Sequence, residues 1–390
     1  MTHPAMTHPA MTHPAMTHPA SARDDILAFA HIGDLHLTEG HLENARDFLA
    51  IVAQLGAVEG LDFAYLPGDN AENGLPEQYA LVRQGLLGFS LPVHVITGDH
   101  DMEGGSLDAF HAGLGARPLP YATDISGIRC LFLDMCGPGT GGPDFRLGDA
   151  QLAWLEGEIQ LAERDGLDCA LFMHSYPADL KGEGEAVRVG HLVSQSRVRL
   201  VEMGHTHYNE LANDGRTIFA ATRSTGQVEE GPVGYAIAAI DGGVVSWRFK
   251  ELAEPWPFVL VTAPADRRLA HDDAHRVRDT VEVRALVLGA SAVTACEVSV
   301  DGGPWQAMTR ADGDRRYRAS IPWDAAGRRL TVRASDAAGG TGQDVVEPAT
   351  DRSRLPVSKG IGSDADSIGA WPEKGLLGTQ LGPNRNGRHW

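Results

Sequence analysis

The sequence predicts a layered α/β domain followed by an all-β one. Three observations carry that reading. From residue 26 to about 252, short apolar runs alternate with stretches of helical periodicity. Beyond residue 254 the helical periodicity stops and short alternating strands take over. The apolar runs of the first part end repeatedly in Asp or His, and in α/β sheets ligands bind beyond the carboxyl ends of strands.

The elements follow in order. Residues 1–20 are MTHPA written four times. Each proline pushes the preceding histidine out of the helical region, so residues 1–22 are expected to be a disordered tandem repeat. Residues 26–37 (ILAFAHIGDLHL) form a buried strand with a polar end, and 42–55 a helix. Residues 62–69 and 92–99 are further strands, with a helix at 77–88 between them. A strand at 128–135 precedes an amphipathic helix at 149–164, with Asp149 placed to cap it. Strands at 169–174 and 198–205 again end in histidine, and 217–224 and the hairpin 234–250 close the region.

From 256 to 350 the strands are short, alternating and separated by Gly/Asp turns, including a DGG hairpin at 301–303. That pattern predicts a β-sandwich of Ig or fibronectin type. Residues 351–390 are rich in Gly, Ser, Asp and Asn. The spaced Trp371, Leu376, Leu377 and Trp390 make this an extended arm packed on one of the domains.

Composition bounds the function. The 390 residues suffice for two domains, and 43% hydrophobic content is that of a globular chain. The formal charge is 33 − 52 = −19, which disfavours general nucleic-acid binding. No apolar run approaches about 18 residues, so no membrane span is expected. No basic patch precedes an apolar core at the N-terminus, so no secretory signal is expected. Cys130, Cys136, Cys169 and Cys296 form no CxxC pair. They read as reduced, mostly buried thiols of a cytoplasmic protein, with a Cys130–Cys136 bridge as the alternative.

Five strand ends carry possible metal ligands. GDLH offers Asp34 and His36, two apart and so facing the same way in extended chain. PGDN offers Asp69, GDHD offers Asp99 and His100, MHSYP offers His174, and GHTH offers His205 and His207. Mixed carboxylate and imidazole donors suit Mn, Fe or Zn better than Ca or Mg.

In order and spacing, these five motifs resemble those of the calcineurin-like metallophosphoesterases, over residues 26–250. The short loops between motifs resemble the bacterial cyclic-nucleotide and glycerophosphodiester branch. The resemblance implies a four-layer αββα sandwich holding two transition-metal ions beyond the strand ends. By position, Asp34, His36 and His207 would hold one metal, and Asp69 would bridge. His174, His205 and Asp99 would complete the second. His100 would sit beside the phosphate as the catalytic group, and a metal-bridging hydroxide would attack. Phosphatase members carry an acid three residues after the GD aspartate that orients this histidine; here that residue is Glu72.

The chain departs from the family at Asp99, where the pattern keeps Asn. A carboxylate there adds a negative charge, which disfavours a dianionic monoester relative to a monoanionic diester. The expected activity is hydrolysis of small phosphodiesters. The alternatives are a phosphomonoesterase and a non-catalytic metal-holding binding protein. Four further residues are candidates near the site: Asp101 as a buttress of the loop or of His100, Asn209 reaching substrate, Arg223 contacting phosphate, and Glu72. The Gly-rich loop 137–145 is expected at the rim or as a lid. His31 reads as core, and the β-sandwich or tail as a possible homo-oligomer contact.

Overall fold

The computed structural model describes residues 26–324, 329–360 and 362–379. The MTHPA repeat, expected to be disordered, and Trp390, expected in the packed arm, lie outside the described residues. The first part runs β1 (Ile26–His31), α1 (Leu42–Gly56), β2 (Phe63–Leu66), α2 (Pro76–Leu86), β3 (Val93–Val95), α3 (Asp108–Leu114), β4 (Tyr121–Ile125) and β5 (Ile128–Phe132). It continues with α4 (Gly148–Asp165), β6 (Asp168–Phe172), α5 (Glu185–Gln195), β7 (Val198–Met203), β8 (Glu210–Asn213), β9 (Ile218–Ala221), β10 (Gly234–Asp241) and β11 (Val244–Glu251).

These strands make two mixed sheets, ordered β11-β10-β1-β2-β3 and β4-β5-β6-β7-β9-β8. Side chains alternate across a strand, and the alternation assigns the layers. Ile26, Ala28 and Ala30 cluster with Phe48, Ile51 and Leu55 of α1 and with Tyr79 and Val82 of α2. Their neighbours Leu27 and Phe29 join Phe63 and Tyr65 against Phe132 and Phe172 of the second sheet. Leu131, Leu171 and Val201 face Leu152, Leu155 and Ile159 of α4 and Val189 and Val193 of α5. Helices, sheet, sheet and helices are therefore stacked as four layers. His31 is wholly buried between the sheets, its Nδ1 2.5 Å from Glu202 Oε2.

In this first part four elements escaped the sequence reading: α3, β4, α5 and β8. α3, β4 and β8 are short, and β4 and β8 are antiparallel additions at the edges of a parallel sheet. The expected cap of α4 is also corrected. Asp149 lies inside the first turn, and the α4 N-terminus has no side-chain cap from its own N-cap residue. Glu185, at the start of α5, accepts instead from the N–H groups of Leu147 and Gly148 at 2.9 and 2.8 Å. A carboxylate brought by another helix does the work of a local cap.

The C-terminal part runs β12 (Phe258–Ala263), β13 (Thr280–Leu288), β14 (Val293–Val300), β15 (Gln306–Ala307), β16 (Arg316–Pro322), β17 (Leu330–Asp336) and β18 (Thr341–Val346). It forms two antiparallel sheets, β12-β13-β16 and β15-β14-β17-β18. They share one apolar cluster that includes Val259, Val283, Val298 and Val332. The β14–β15 turn places Asp301 and Gly302 at φ 50 and 73, which a two-residue hairpin turn requires. Asp241, at the end of β10, ties the two parts together. Its carboxylate accepts from Thr262 Oγ1, Arg284 Nε and Arg316 Nη1 at 2.7, 2.8 and 2.6 Å.

The four cysteines are free and buried. Among the described residues, no helix is long and apolar enough to cross a membrane.

Candidate metal centre

The parallel strands β1, β2, β6 and β7 all deliver their carboxyl ends to one place. There the ligand atoms fall into two groups, each within 4.8 Å: Asp34, His36, Asp69 and His207, and Asp69, Asp99, His174 and His205. Asp69 belongs to both. In the first group His36 Nε2 lies 3.1 Å from His207 Nε2 and 3.7 Å from Asp69 Oδ2, and His207 Nε2 lies 3.6 Å from Asp34 Oδ2. In the second, His174 Nε2 is 3.4 Å from Asp69 Oδ2 and 3.1 Å from Asp99 Oδ1, and His205 Nδ1 is 3.2 Å from Asp99 Oδ1. Atoms bound to one ion at about 2.0–2.2 Å stand about 3–3.6 Å from one another, close to these spacings.

The backbone is bent to achieve this. His36, Asp69, His205 and His207 have φ of 43, 47, 64 and 61. Non-glycine residues rarely adopt that region, and such strain persists only where the surroundings hold it. Close approach also excludes side chains: a Cβ at Gly98 would lie 2.2 Å from Asp69 Oδ1, and one at Gly204 2.1 Å from Asp34 Oδ1.

Electrostatics point to a cation. Burial raises the Asp34 carboxyl to about 6, with Asp69 adding to it. His174 is held well above the usual imidazole range despite its burial, because Asp69 and Asp99 face it. The Asp99 carboxyl is lowered, its hydrogen bonds to His174 and His205 overcoming burial. His207 is pushed down to about 3 by burial and by His36. Asp34 Oδ1 is buried without a hydrogen-bond partner. Three crowded carboxylates, an orphaned oxygen and the His207 imidazole held in its neutral form fit divalent ions. Outer partners orient the rings as metal-binding histidines require: His174 Nδ1 lies 2.7 Å from the Pro67 carbonyl, and His36 Nδ1 3.1 Å from Glu72 Oε2.

Residues 27–209 match the family model described as calcineurin-like phosphoesterase. Over this region, just under half of its length, the chain resembles that family. A relative, the glycerophosphodiester phosphodiesterase GpdQ of Enterobacter lignolyticus (strain SCF1), is 32% identical over 168 residues. The match takes in 40% of this chain and 58% of the relative, so the chain spans less than two thirds of that protein's length. A dimetal phosphatase from Danio rerio aligns over 58% of this chain and 97% of its own, at 15% identity and a TM-score of 0.47. GAP50, the anchor in the inner membrane complex of Plasmodium, aligns over 59% of this chain and 85% of its own, at 15% identity and a TM-score of 0.45. Likenesses this loose carry no functional argument.

Around the candidate centre, the other candidate residues fall into place unevenly. The His100 ring lies 4.5 Å from the His36 ring, and its backbone N–H donates to Asp69 Oδ1 at 2.9 Å. Its Nδ1 is 2.7 Å from the Glu72 main-chain carbonyl. Glu72 therefore meets His100 through its backbone, which corrects the expectation of a carboxylate partner. The Glu72 carboxylate is turned to His36 and to Gln227 Nε2, at 3.1 and 3.0 Å. Asp101 is wholly buried and touches no ligand group; it braces the loops.

Asn209 and Arg223 are also corrections. Asn209 is buried, its amide donating to the Gly375 carbonyl at 2.9 Å and accepting from the Arg223 N–H at 2.8 Å. The Arg223 guanidinium is 1% exposed, over the Phe249 ring, and donates to the carbonyls of Pro232 and Gly375. Those bonds occupy it away from any phosphate.

Three contributors escaped the sequence reading. Phe145, ending the Gly-rich loop, sets its ring 4.9 Å from His205 and 5.7 Å from His174. Gln227 holds Glu72 from 155 residues away, a distance at which the sequence carries no signal. Ser224 Oγ donates to the Asp34 carbonyl at 2.8 Å. Only Phe145 had a signal, as the apolar residue closing a loop expected at the rim.

Proposed function

We propose that the protein is a metal-dependent phosphoester hydrolase that acts on small phosphodiesters. One observation carries the diester reading: the Asp99 carboxylate, 3.1 Å from His174 and 3.2 Å from His205. Two divalent ions carry +4, and Asp34, Asp69 and Asp99 remove 3, leaving +1. An amide at position 99 would leave +2. Unit charges about 4 Å apart interact by about 4 kcal/mol at an effective dielectric of about 20. One charge therefore bears strongly on whether the site prefers a monoanionic diester or a dianionic monoester. The similarity to a glycerophosphodiester phosphodiesterase points the same way.

In this reading Asp34, His36, Asp69 and His207 hold one ion, and Asp69, Asp99, His174 and His205 the other. Bound there, the ions supply Lewis acidity toward the phosphate and acidify water. The chain's residues do the rest. His100 is the catalytic histidine. The Glu72 carbonyl fixes its Nδ1 as the donor, so that in the protonated ring Nε2 is the nitrogen that gives a proton to the leaving oxygen or stabilises developing charge. Phe145 shields one side of the centre from water.

The test is hydrolysis of bis-p-nitrophenyl phosphate against p-nitrophenyl phosphate with Mn added. The expected result is preferred diester turnover that a chelator abolishes. Asp99→Asn is expected to lower the diester-to-monoester ratio of kcat/KM about tenfold, roughly 1.4 kcal/mol. An unchanged ratio overturns the role of Asp99. Inactivity with both ions bound overturns the enzyme.

The same reading divides the chain into a phosphoesterase domain at 23–255, an Ig-like β-sandwich at 256–350 and an extended tail at 351–390. Two antiparallel sheets on a shared apolar cluster support the sandwich. Mixed carboxylate and imidazole donors favour Mn, Fe or Zn. Four free, buried thiols favour the cytoplasm. The sandwich or the tail would serve a homo-oligomer, and the net charge of −19 argues against general nucleic-acid binding.

A further inference from the structure

Residues 362–379 cross the molecule as a strap. Ser367 bridges Ala212, and the Ile368 N–H donates to the Leu211 carbonyl at 3.0 Å, so the strap covers the edge strand β8. Trp371 and Leu376, 4% and 2% exposed, enter the apolar layer between the two sheets. Between them, Lys374 and Gly375 make a turn with two attachments. Lys374 Nζ is buried and binds both carboxylate oxygens of Asp344 on β18, at 2.6 and 2.7 Å. The Gly375 carbonyl accepts from Asn209 Nδ2 and Arg223 Nη2, both at 2.9 Å. Asn209 Oδ1 in turn accepts from the Arg223 N–H, closing a triangle.

The triangle leads directly to two candidate ligands. Asn209 stands two residues after His207. Arg223 precedes Ser224, whose N–H donates to the His207 carbonyl at 3.3 Å and whose Oγ donates to the Asp34 carbonyl at 2.8 Å. The Thr225 N–H also donates to that carbonyl, at 2.9 Å. Asp34 and His207 both belong to the first metal group. His207 sits at φ 61, a conformation that needs outside support. In the second group, His174 is oriented by Pro67 on a different loop.

We propose that the Lys374–Gly375 turn is a positioning element for the first metal group, through which the C-terminal sheets set the placement of His207 and Asp34. It rests on the reading that the centre binds two ions. It gives the C-terminal sheets a part in the chemistry although they contribute no ligand: Asp344 anchors the turn, and the turn anchors the loops. Outer partners of this kind are worth about 10–100-fold in metal affinity.

The experiment is titration of the full chain with Zn²⁺ against a chromophoric chelator. His207→Ala and His174→Ala serve as references that assign the two binding steps. Lys374→Met is expected to weaken the step that His207→Ala removes about tenfold or more, while the step that His174→Ala removes stays near its wild-type affinity. Should Lys374→Met fail to fold, the pair Lys374→Met/Asp344→Leu leaves no unpaired buried charge and breaks the same anchor. A folded variant with both steps unchanged overturns the proposal. Equal weakening of both steps also overturns it, since that reports only a loosened fold. A wild-type chain that binds no zinc overturns the two-ion reading, and the proposal with it.

Discussion

Five donors converge on the carboxylate of Asp101. They are the N–H groups of Gly98, Asn70 and Ala71, the Asn70 amide and the Tyr79 hydroxyl. The residue thereby fastens the loop carrying Asp69 to the loop carrying Asp99 and His100. Asp101→Ala leaves those buried donors unpaired, and each unpaired group costs about 1–3 kcal/mol. Urea unfolding should show a loss of about 3 kcal/mol or more, with metal uptake weakened in both groups. At this scale the sequence was most legible where chemistry sits at a strand end. Asp34, His36, Asp69, Asp99, His174, His205 and His207 each follow an apolar run, and all reach one centre. Arg223 was illegible for a physical reason. Its partners are backbone carbonyls, one of them 152 residues later, and no residue type announces a carbonyl acceptor. A motif shows which side chains are available, whereas direction depends on what else comes near.

Between α4 and α5 one carboxylate does the work of a cap. Glu185, 8% exposed, accepts from two N–H groups at the start of α4. Glu185→Ala should cost about 1 kcal/mol, the usual worth of an N-cap. Thermal unfolding checks this, and zinc binding should stay unchanged because α4 and α5 cover the outer face of the second sheet. The local signal misled here: an acid at position 149 suggested a cap that long-range packing made unnecessary. The longer helices and central strands were readable from periodicity, since they are buried on predictable faces. The four-residue β8 was not readable, because its pairing with β9 and with the strap, rather than its own pattern, makes it a strand.

Across the whole molecule, the first sheet and the C-terminal sheets are locked by charge as well as by apolar contact. Asp241 is 1% exposed and meets Arg316, itself 5% exposed, along with Arg284. Breaking a buried pair by removing one partner typically costs about 3–5 kcal/mol, because the other charge stays buried. Asp314 also holds Arg316, at 2.9 Å, so Asp241→Ala should fall at the lower end, about 3 kcal/mol. The checkable outcome is a lower urea midpoint for the whole chain. A separate early transition of the C-terminal sheets would instead show that the junction is weaker than its geometry suggests. The change from helical to strand periodicity near residue 254 was plain in the sequence, and the junction was not.

The buried thiols have a practical consequence. Cys130, Cys136, Cys169 and Cys296 are all enclosed, and burial pushes the Cys169 and Cys296 thiols up to about 12. Electrophilic dyes react with exposed thiolates, so the native chain presents them with an inert background. A single cysteine engineered onto an exposed position becomes the one handle such a reagent meets. Fluorescent or spin labels could then be placed at chosen points without first stripping the protein of its own cysteines.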